Sequence, residues 1–170
     1  ARNIVKPDTT SVQTVESINR GPAGLVHTGT VEWFAPMDKK VGAQTEFSVD
    51  GLDKLPRVDI LYAHANMSAD LIDAAVKNGA KGIVIAGVGD GNMTTPALEA
   101  LKRAAKSGVV VVRSTRLPKG LVLRNNEVND DKMGFVASGE LNPAKSRVLL
   151  QLALTKTSDP KRIQAMFYEY

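Results

Sequence analysis

The 170-residue chain is 43% hydrophobic and 24% charged, long and apolar enough to bury one sizeable core, which excludes the disordered and collagen-like classes. Its 22 Lys and Arg against 18 Asp and Glu leave a formal charge of +4, the charges are interspersed and aromatics are only 5%, so the basic stripe and stacking platform of a nucleic-acid binder are missing and no such partner is expected. Cys is 0, which removes disulfides, thiolate zinc sites and cysteine nucleophiles, and no apolar run nears the length of a membrane span, so no membrane contact is expected either.

In chain order, the opening stretch ARNIVK has no signal-peptide pattern. The turn cluster GPAG at 21–24 precedes LVHTGTVEWF, which reads as two short strands around Thr28 and Gly29, a hairpin rather than a crossover. Residues 35–56, with Pro36, Gly42, Gly51, Pro56 and scattered charges, lack sustained periodicity and read as a linker. The pattern changes at Val58. Short apolar runs VDILYA, GIVIAG and VVVVRS alternate with SADLIDAAVKNG and TPALEALKRAAKSG, a βαβαβ order. In the first helix Leu71, Ile72, Ala75 and Val76 share a face, Ser68 is the expected N-cap and Gly79 the stop. In the second, Thr95 caps, Pro96 takes the first helical position, Leu98, Leu101 and Ala105 face inward, and Gly108 follows. The strands carry almost no polar alternation, which predicts a parallel sheet buried on both faces. A fourth strand near GFVAS leads through Asn142 and Pro143 into the helix AKSRVLLQLALTK, and a last short helix starts near Asp159 and Pro160. The fold class is therefore α/β, with a small parallel-sheet, flavodoxin-like domain over 57–170.

Few residues announce chemistry. The loop at 87–92, GVGDGN, has the glycine density of a turn whose backbone approaches a ligand, yet three glycines equally suit a tight strand-to-helix connection. It is not a dinucleotide fingerprint, because G-x-G-x-x-G needs glycine at the position held by Asn92. Ligands of open parallel sheets sit beyond the carboxyl ends of the strands, so this loop, Ser114, Thr115, Arg116 and the segment after the third strand form one candidate edge. That segment, 117–131, carries Glu127, Asp130 and Asp131 and reads either as functional or as a solvated acidic turn. His27 and His64 have no second His or Cys nearby, so no metal site is expected and a surface or hydrogen-bonded role suits both. No G-x-S-x-G elbow or S-x-x-K occurs, so no nucleophile is visible. The residues by themselves support an α/β ligand-binding domain.

Taken together, GPAGLVHTG, AGVGDGN, VVVVRSTR, NNEVNDDKMGFVASGELNPAKSRVLLQLALT and the closing Phe167, Tyr168, Glu169 and Tyr170 resemble the type II bacterial asparaginases and glutaminase-asparaginases along essentially the whole chain. Members of that family begin with a larger amino-terminal domain carrying T-G-G-T-I-A and H-G-T-D, and neither motif occurs in these residues. The resemblance implies that 1–34 is the tail end, with its β-hairpin, of a larger α/β catalytic domain, that 35–56 is the interdomain linker and that 57–170 is the carboxy-terminal domain. It implies hydrolysis of L-asparagine, with L-glutamine as a further substrate, through a threonine acyl-enzyme and without metal or cofactor. The nucleophile and the main oxyanion donors would lie in a missing amino-terminal segment, as in the carboxy-terminal product of a cut or truncated enzyme, and this chain alone would be inactive.

Residue by residue, ARNIVK resembles G-R-D-V-x-K, whose lysine belongs to a Thr-Lys-Asp set beside the substrate, so Lys6 is the implied catalytic lysine. A lysine near a hydroxyl and a carboxylate can accept a proton or stabilise a developing anion. Asn3 stands where that pattern usually has Asp, and Pro7 and Asp8 where Thr-Asn commonly follows. Asn92 and Glu127 match family residues that reach across an intimate dimer interface into the neighbour's site. Glu127 would be the counter-charge to the substrate ammonium, and the Asn92 amide would orient the ligand. The implied partners are L-asparagine or L-aspartate, further copies in a tetramer built from tight dimers, and the missing segment; the implied location is the periplasm. Two other readings stand beside this one. The first is a non-catalytic module that binds a small amino acid or merely assembles, and the second, ranked last, is a phosphate or nucleotide binder using 87–92.

Overall fold

Two small antiparallel pairs precede the main sheet: β1 (Ile4–Val5) with β2 (Glu16–Ser17), and β3 (Gly24–His27) with β4 (Thr30–Trp33). The computed structural model describes residues 2–34 and 39–170; Ala1 of the opening motif and 35–38, including Pro36 of the expected linker, lie outside the described residues. Between β3 and β4, Thr28 and Gly29 have φ of 45° and 81°, the pair of positive values that matches a two-residue turn to the twist of a hairpin. The predicted hairpin is present. Leu25, Val26, Val31 and Trp33, which point to both of its faces, are all exposed.

The apolar runs after residue 57 pair in parallel because a helix separates each from the next and returns the chain to the same edge. β5 (Val58–Tyr62), β6 (Gly82–Gly87), β7 (Val110–Thr115) and β8 (Phe135–Ala137) lie in the order β5-β6-β7-β8. Between them run α1 (Asp70–Lys77), α2 (Thr95–Lys106) and α3 (Asp130–Met133), and after them α4 (Pro143–Ala153) and α5 (Pro160–Glu169). A consecutive strand order with crossovers of one hand puts the intervening helices on one face. Accordingly Ile83, Ile85, Val111 and Phe135 pack under Ile72, Ala75, Ala97, Ala100 and Leu101. The chain changes face after β8, and Val58, Val84, Val110, Val112 and Val136 pack under Leu149, Leu150, Ile163, Met166 and Phe167. Successive strand residues thus enter two apolar layers, which explains the lack of polar alternation in the sequence.

Three expected details shift. The N-cap of α2 is Thr94 rather than Thr95: Thr94 is extended at φ −68° and ψ 152°, and its Oγ1 accepts from the Ala97 N–H at 3.4 Å. Its hydroxyl also donates to the Met67 carbonyl at 2.7 Å, so the cap ties α2 to the loop before α1. In α1, Ala69 occupies the cap position, and Ser68 acts one residue earlier by accepting from the Asp70 N–H at 3.3 Å. Leu71, expected on the inward face, is 57% exposed, because Ile72, Ala75 and Val76 already fill the stripe that the sheet can cover.

An edge strand leaves backbone groups unpaired. At β8 the amide of Gln164, a buried residue of α5, accepts from the Ala137 N–H at 2.7 Å and donates to the Ala137 carbonyl at 3.1 Å, standing in for a further strand. No helix among the described residues is long and apolar enough to cross a membrane.

Candidate functional site

The chain leaves β6 in a turn that folds back on itself. Val88 and Asn92 exchange both backbone hydrogen bonds, each 2.8 Å long, and enclose Gly89, Asp90 and Gly91. A Cβ on Gly87 would lie 2.4 Å from the Gly91 carbonyl carbon and 2.7 Å from the Asn92 oxygen, and Gly91 holds φ at +74°. The turn's own backbone therefore accounts for the glycines there, through close approach of the loop to itself and through a left-handed residue. Arg116 N–H donates to the Gly87 carbonyl at 3.0 Å, so the end of β7 borders this turn on the expected edge.

Asn92 follows directly. Its Oδ1 accepts from the Met93 N–H at 2.8 Å, which orients the amide so that Nδ2 donates to Glu127 Oε2 at 3.2 Å. Both side chains are exposed. The two residues expected to share a role are thus brought together from loops that follow different strands. Among the described residues Lys6 makes no hydrogen bond or ion pair with either of them; it is exposed and follows directly on β1.

Beneath this contact lies a charge pair that the motif reading missed. Arg113 on β7 and Asp130 at the start of α3 are both 0% exposed, and they meet through two parallel bonds, Nε to Oδ1 at 2.6 Å and Nη2 to Oδ2 at 2.7 Å. The remaining guanidinium donors reach outward. Nη1 donates to the Asp90 carbonyl at 2.7 Å and Nη2 to the Leu123 carbonyl at 2.9 Å. Asp130 Oδ2 accepts in addition from the Asn125 N–H at 2.8 Å. One buried pair therefore fastens the glycine turn, the 117–129 segment and α3 to one another, and its charges are satisfied on every side. The signal was available in the run VVVVRS, since an arginine inside a doubly buried strand demands a buried partner.

The three carboxylates of this segment have three different environments. Glu127 is exposed beside Asn92, Asp130 is buried on Arg113, and Asp131 is exposed on the surface. The Asn125 amide, and then the Arg124 guanidinium, hold the Asp131 carboxyl below the usual carboxylate range. His27 and His64 are both exposed, each with a hydrogen-bond partner within one residue in sequence.

A second cluster anchors the residues that lead into β1, ahead of Lys6. Glu140, whose side chain is 4% exposed, accepts from Arg2 Nε at 2.5 Å and from Arg20 Nε at 2.8 Å. Arg2 Nη2 also donates to the Phe167 carbonyl at 2.9 Å, and Lys145 Nζ donates to the Arg2 carbonyl at 2.9 Å and to that of Ile4. With its amide nitrogen turned toward Glu140, Asn3 lies 3.1 Å from Oε2. An aspartate at position 3 would instead face Glu140 as a like charge, which gives a physical reason for the departure from the family pattern. Burial pushes the Lys145 ammonium below the usual lysine value, with Glu140 opposing the shift.

Burial raises the Glu140 carboxyl, but the hydrogen bonds and charges of Arg20 and Arg2 outweigh it, so Glu140 titrates below its ordinary value. A depressed folded-state value contributes stability that is fully present above the unfolded value, about 4.5, and is lost as pH falls through the folded one. Melting temperature should therefore fall more steeply on acidification for the native protein than for Glu140→Gln, which has no proton to take up at this position. Equal slopes in thermal melts between about pH 5 and pH 3 would contradict that assignment.

The family model described as the glutaminase/asparaginase C-terminal domain matches residues 57–167. A protein named probable periplasmic L-asparaginase, from Haemophilus influenzae, is 49% identical over 170 residues, covering 100% of this chain and 49% of its own. L-asparaginase 2 of Escherichia coli is 47% identical over 169 residues, 99% of this chain and 49% of its own. A glutaminase-asparaginase of Pseudomonas fluorescens is 40% identical over 151 residues, 88% of this chain and 42% of its own. The chain spans about half the length of the curated relatives it matches.

Proposed function

The chain belongs to the glutaminase/asparaginase family, and on that premise we propose that it is the carboxy-terminal part of an amidohydrolase that converts L-asparagine to L-aspartate and ammonia, with L-glutamine as a further substrate. The observation that carries the reading is the hydrogen bond between Asn92 and Glu127. An exposed carboxylate held beside an amide, at the carboxyl edge of a parallel sheet, complements the ammonium of an amino acid.

In this reading residues 57–170 are the carboxy-terminal domain, 35–56 the connection and 1–34 part of a larger catalytic domain. The exposed Val26, Val31 and Trp33, which the register places on one face of the hairpin, support the last assignment, because an exposed apolar face requires cover. The nucleophile is a threonine outside these residues. Its hydroxyl attacks the side-chain amide carbon, ammonia leaves, and water hydrolyses the resulting ester. Lys6 serves the proton transfer within its own subunit's site. Asn92 and Glu127 serve the site of a neighbouring copy, and Val88, Leu121 and Leu123, exposed on the same two loops, suit contact with that copy. We place the assembly as a dimer of tight dimers. From the name of the Haemophilus influenzae relative we infer a periplasmic location.

Complementation between subunits tests the reading. Full-length Lys6→Ala and full-length Glu127→Ala should each release little ammonia from L-asparagine. Mixed oligomers of the two should regain it, because one site then combines an intact Lys6 with an intact Glu127 from the other copy. Mixed oligomers that stay silent would overturn the shared site. Aspartate binding by the native full-length protein without ammonia release from either amide would leave a non-catalytic amino-acid-binding module.

A further inference from the structure

The contact between Asn92 and Glu127 joins two exposed side chains on separate loops, so something beneath it must decide where Glu127 stands. The geometry points to Asp90 as the positioning residue for Glu127, a role that rests on the reading of Glu127 as the ammonium-binding carboxylate. Asp90 sits at the apex of the glycine turn, between Gly89 and Gly91, whose φ values are +54° and +74°. That conformation turns its side chain toward the 117–129 segment. Oδ1 accepts from the Leu123 N–H at 2.6 Å, and Oδ2 accepts from Asn126 Nδ2 at 2.6 Å. Asn126 directly precedes Glu127.

The segment is pinned from three directions. Leu123 is held at its N–H by the Asp90 carboxylate and at its carbonyl by Arg113 Nη2, 2.9 Å away. Asn125, at φ +58°, is held at its N–H by Asp130. Asn126 is held through its side chain by Asp90. The first residue beyond these ties is Glu127, and it projects to Asn92 on the same turn that carries Asp90. The turn thus builds both members of the contact: it presents Asn92 itself and, through Asp90, fixes the chain that presents Glu127.

The chemistry at position 90 follows from its partners. Both are donors, so an acceptor-only side chain satisfies them without rearrangement. Asparagine can do nearly the same, because its oxygen serves the Leu123 N–H and a rotated Asn126 amide can offer its own oxygen to the new NH2 group. Alanine can serve neither. Asp90 acts through Glu127, so its removal should weaken substrate binding and leave the chemical step almost untouched.

The test is a double-mutant cycle in the full-length oligomer, with KM and kcat for L-asparagine as readouts. Asp90→Ala should raise KM by about tenfold with kcat changed by less than about twofold, while Asp90→Asn stays within about twofold of native. In a Glu127→Gln background, Asp90→Ala should add no further rise in KM. Asn126→Ala removes only one of the ties and should show a smaller KM effect that is likewise absent in that background; it keeps the test available if Asp90→Ala does not fold. A KM rise of equal size in both backgrounds would overturn the positioning role, as would an Asp90→Ala protein with lowered melting temperature and native KM. A Glu127→Gln protein with native KM would instead overturn the ammonium reading, and the Asp90 role with it.

Discussion

Glu127→Gln in the full-length oligomer should raise KM for L-asparagine by about ten- to a hundredfold, because it removes one charge and little else. A hydrogen bond to a charged group stabilises by roughly 1.5–3 kcal/mol, and about 1.4 kcal/mol corresponds to a factor of ten. The substituted amide keeps the length of the side chain, and its carbonyl oxygen can still accept from Asn92 Nδ2, which lies 3.2 Å from Oε2 in the native protein. The turn and the 117–129 segment should therefore remain in place, and the melting temperature should stay near native. What is lost is the counter-charge to an ammonium. Discrimination between L-asparagine and succinamate, which lacks the amino group, should shrink in parallel. A variant that binds both compounds as the native protein does would remove Glu127 from the substrate site.

The second large effect is on stability. Arg113→Met should cost about 3–5 kcal/mol, since it leaves the Asp130 carboxylate buried without its counter-charge. Both side chains are 0% exposed, so water cannot take over. The same change frees the Asp90 and Leu123 carbonyls, which Arg113 holds at 2.7 Å and 2.9 Å. The double replacement Arg113→Met with Asp130→Leu should recover much of the stability, because both desolvation penalties disappear together. It should not recover KM, because the ties from this pair to the turn and the segment remain absent. Denaturant unfolding beside steady-state kinetics separates the two outcomes. A double variant with native KM would show that Arg113 and Asp130 serve stability alone.

How these residues appear in the sequence explains which could be read. GIVIAG and VVVVRS declare strands because Ile83, Ile85, Val109 and Val111 enter one apolar layer and Val84, Val110 and Val112 the other. The start of α2 was legible to within one residue, since a Thr-Thr-Pro run offers two caps and only the extended backbone of Thr94 selects between them. Leu71 looked like core by spacing alone, but the sheet can cover only part of the apolar arc of α1. The glycines of the 87–92 turn could be counted but not interpreted, because whether a ligand or the loop's own backbone approaches Gly87 depends on where the turn folds.

The site divides the same way. Glu127, Asp130 and Asp131 are equivalent in sequence, three carboxylates within one turn signal, and nothing local distinguishes the one that is exposed beside Asn92 from the one buried on Arg113. Asn92 and Glu127 were singled out by resemblance to a family. Their proximity across 35 residues of chain was not encoded in any spacing.

By itself, the sequence determined the elements, their order and the parallel α/β class, because strand and helix periodicity, caps and stops act over a few neighbouring residues. Only the tertiary structure decided which carboxylate is a buried anchor and which is offered to solvent. A buried charge is tolerated only where a partner from another strand meets it, and that meeting depends on how the crossovers stack β6, β7 and β8 side by side.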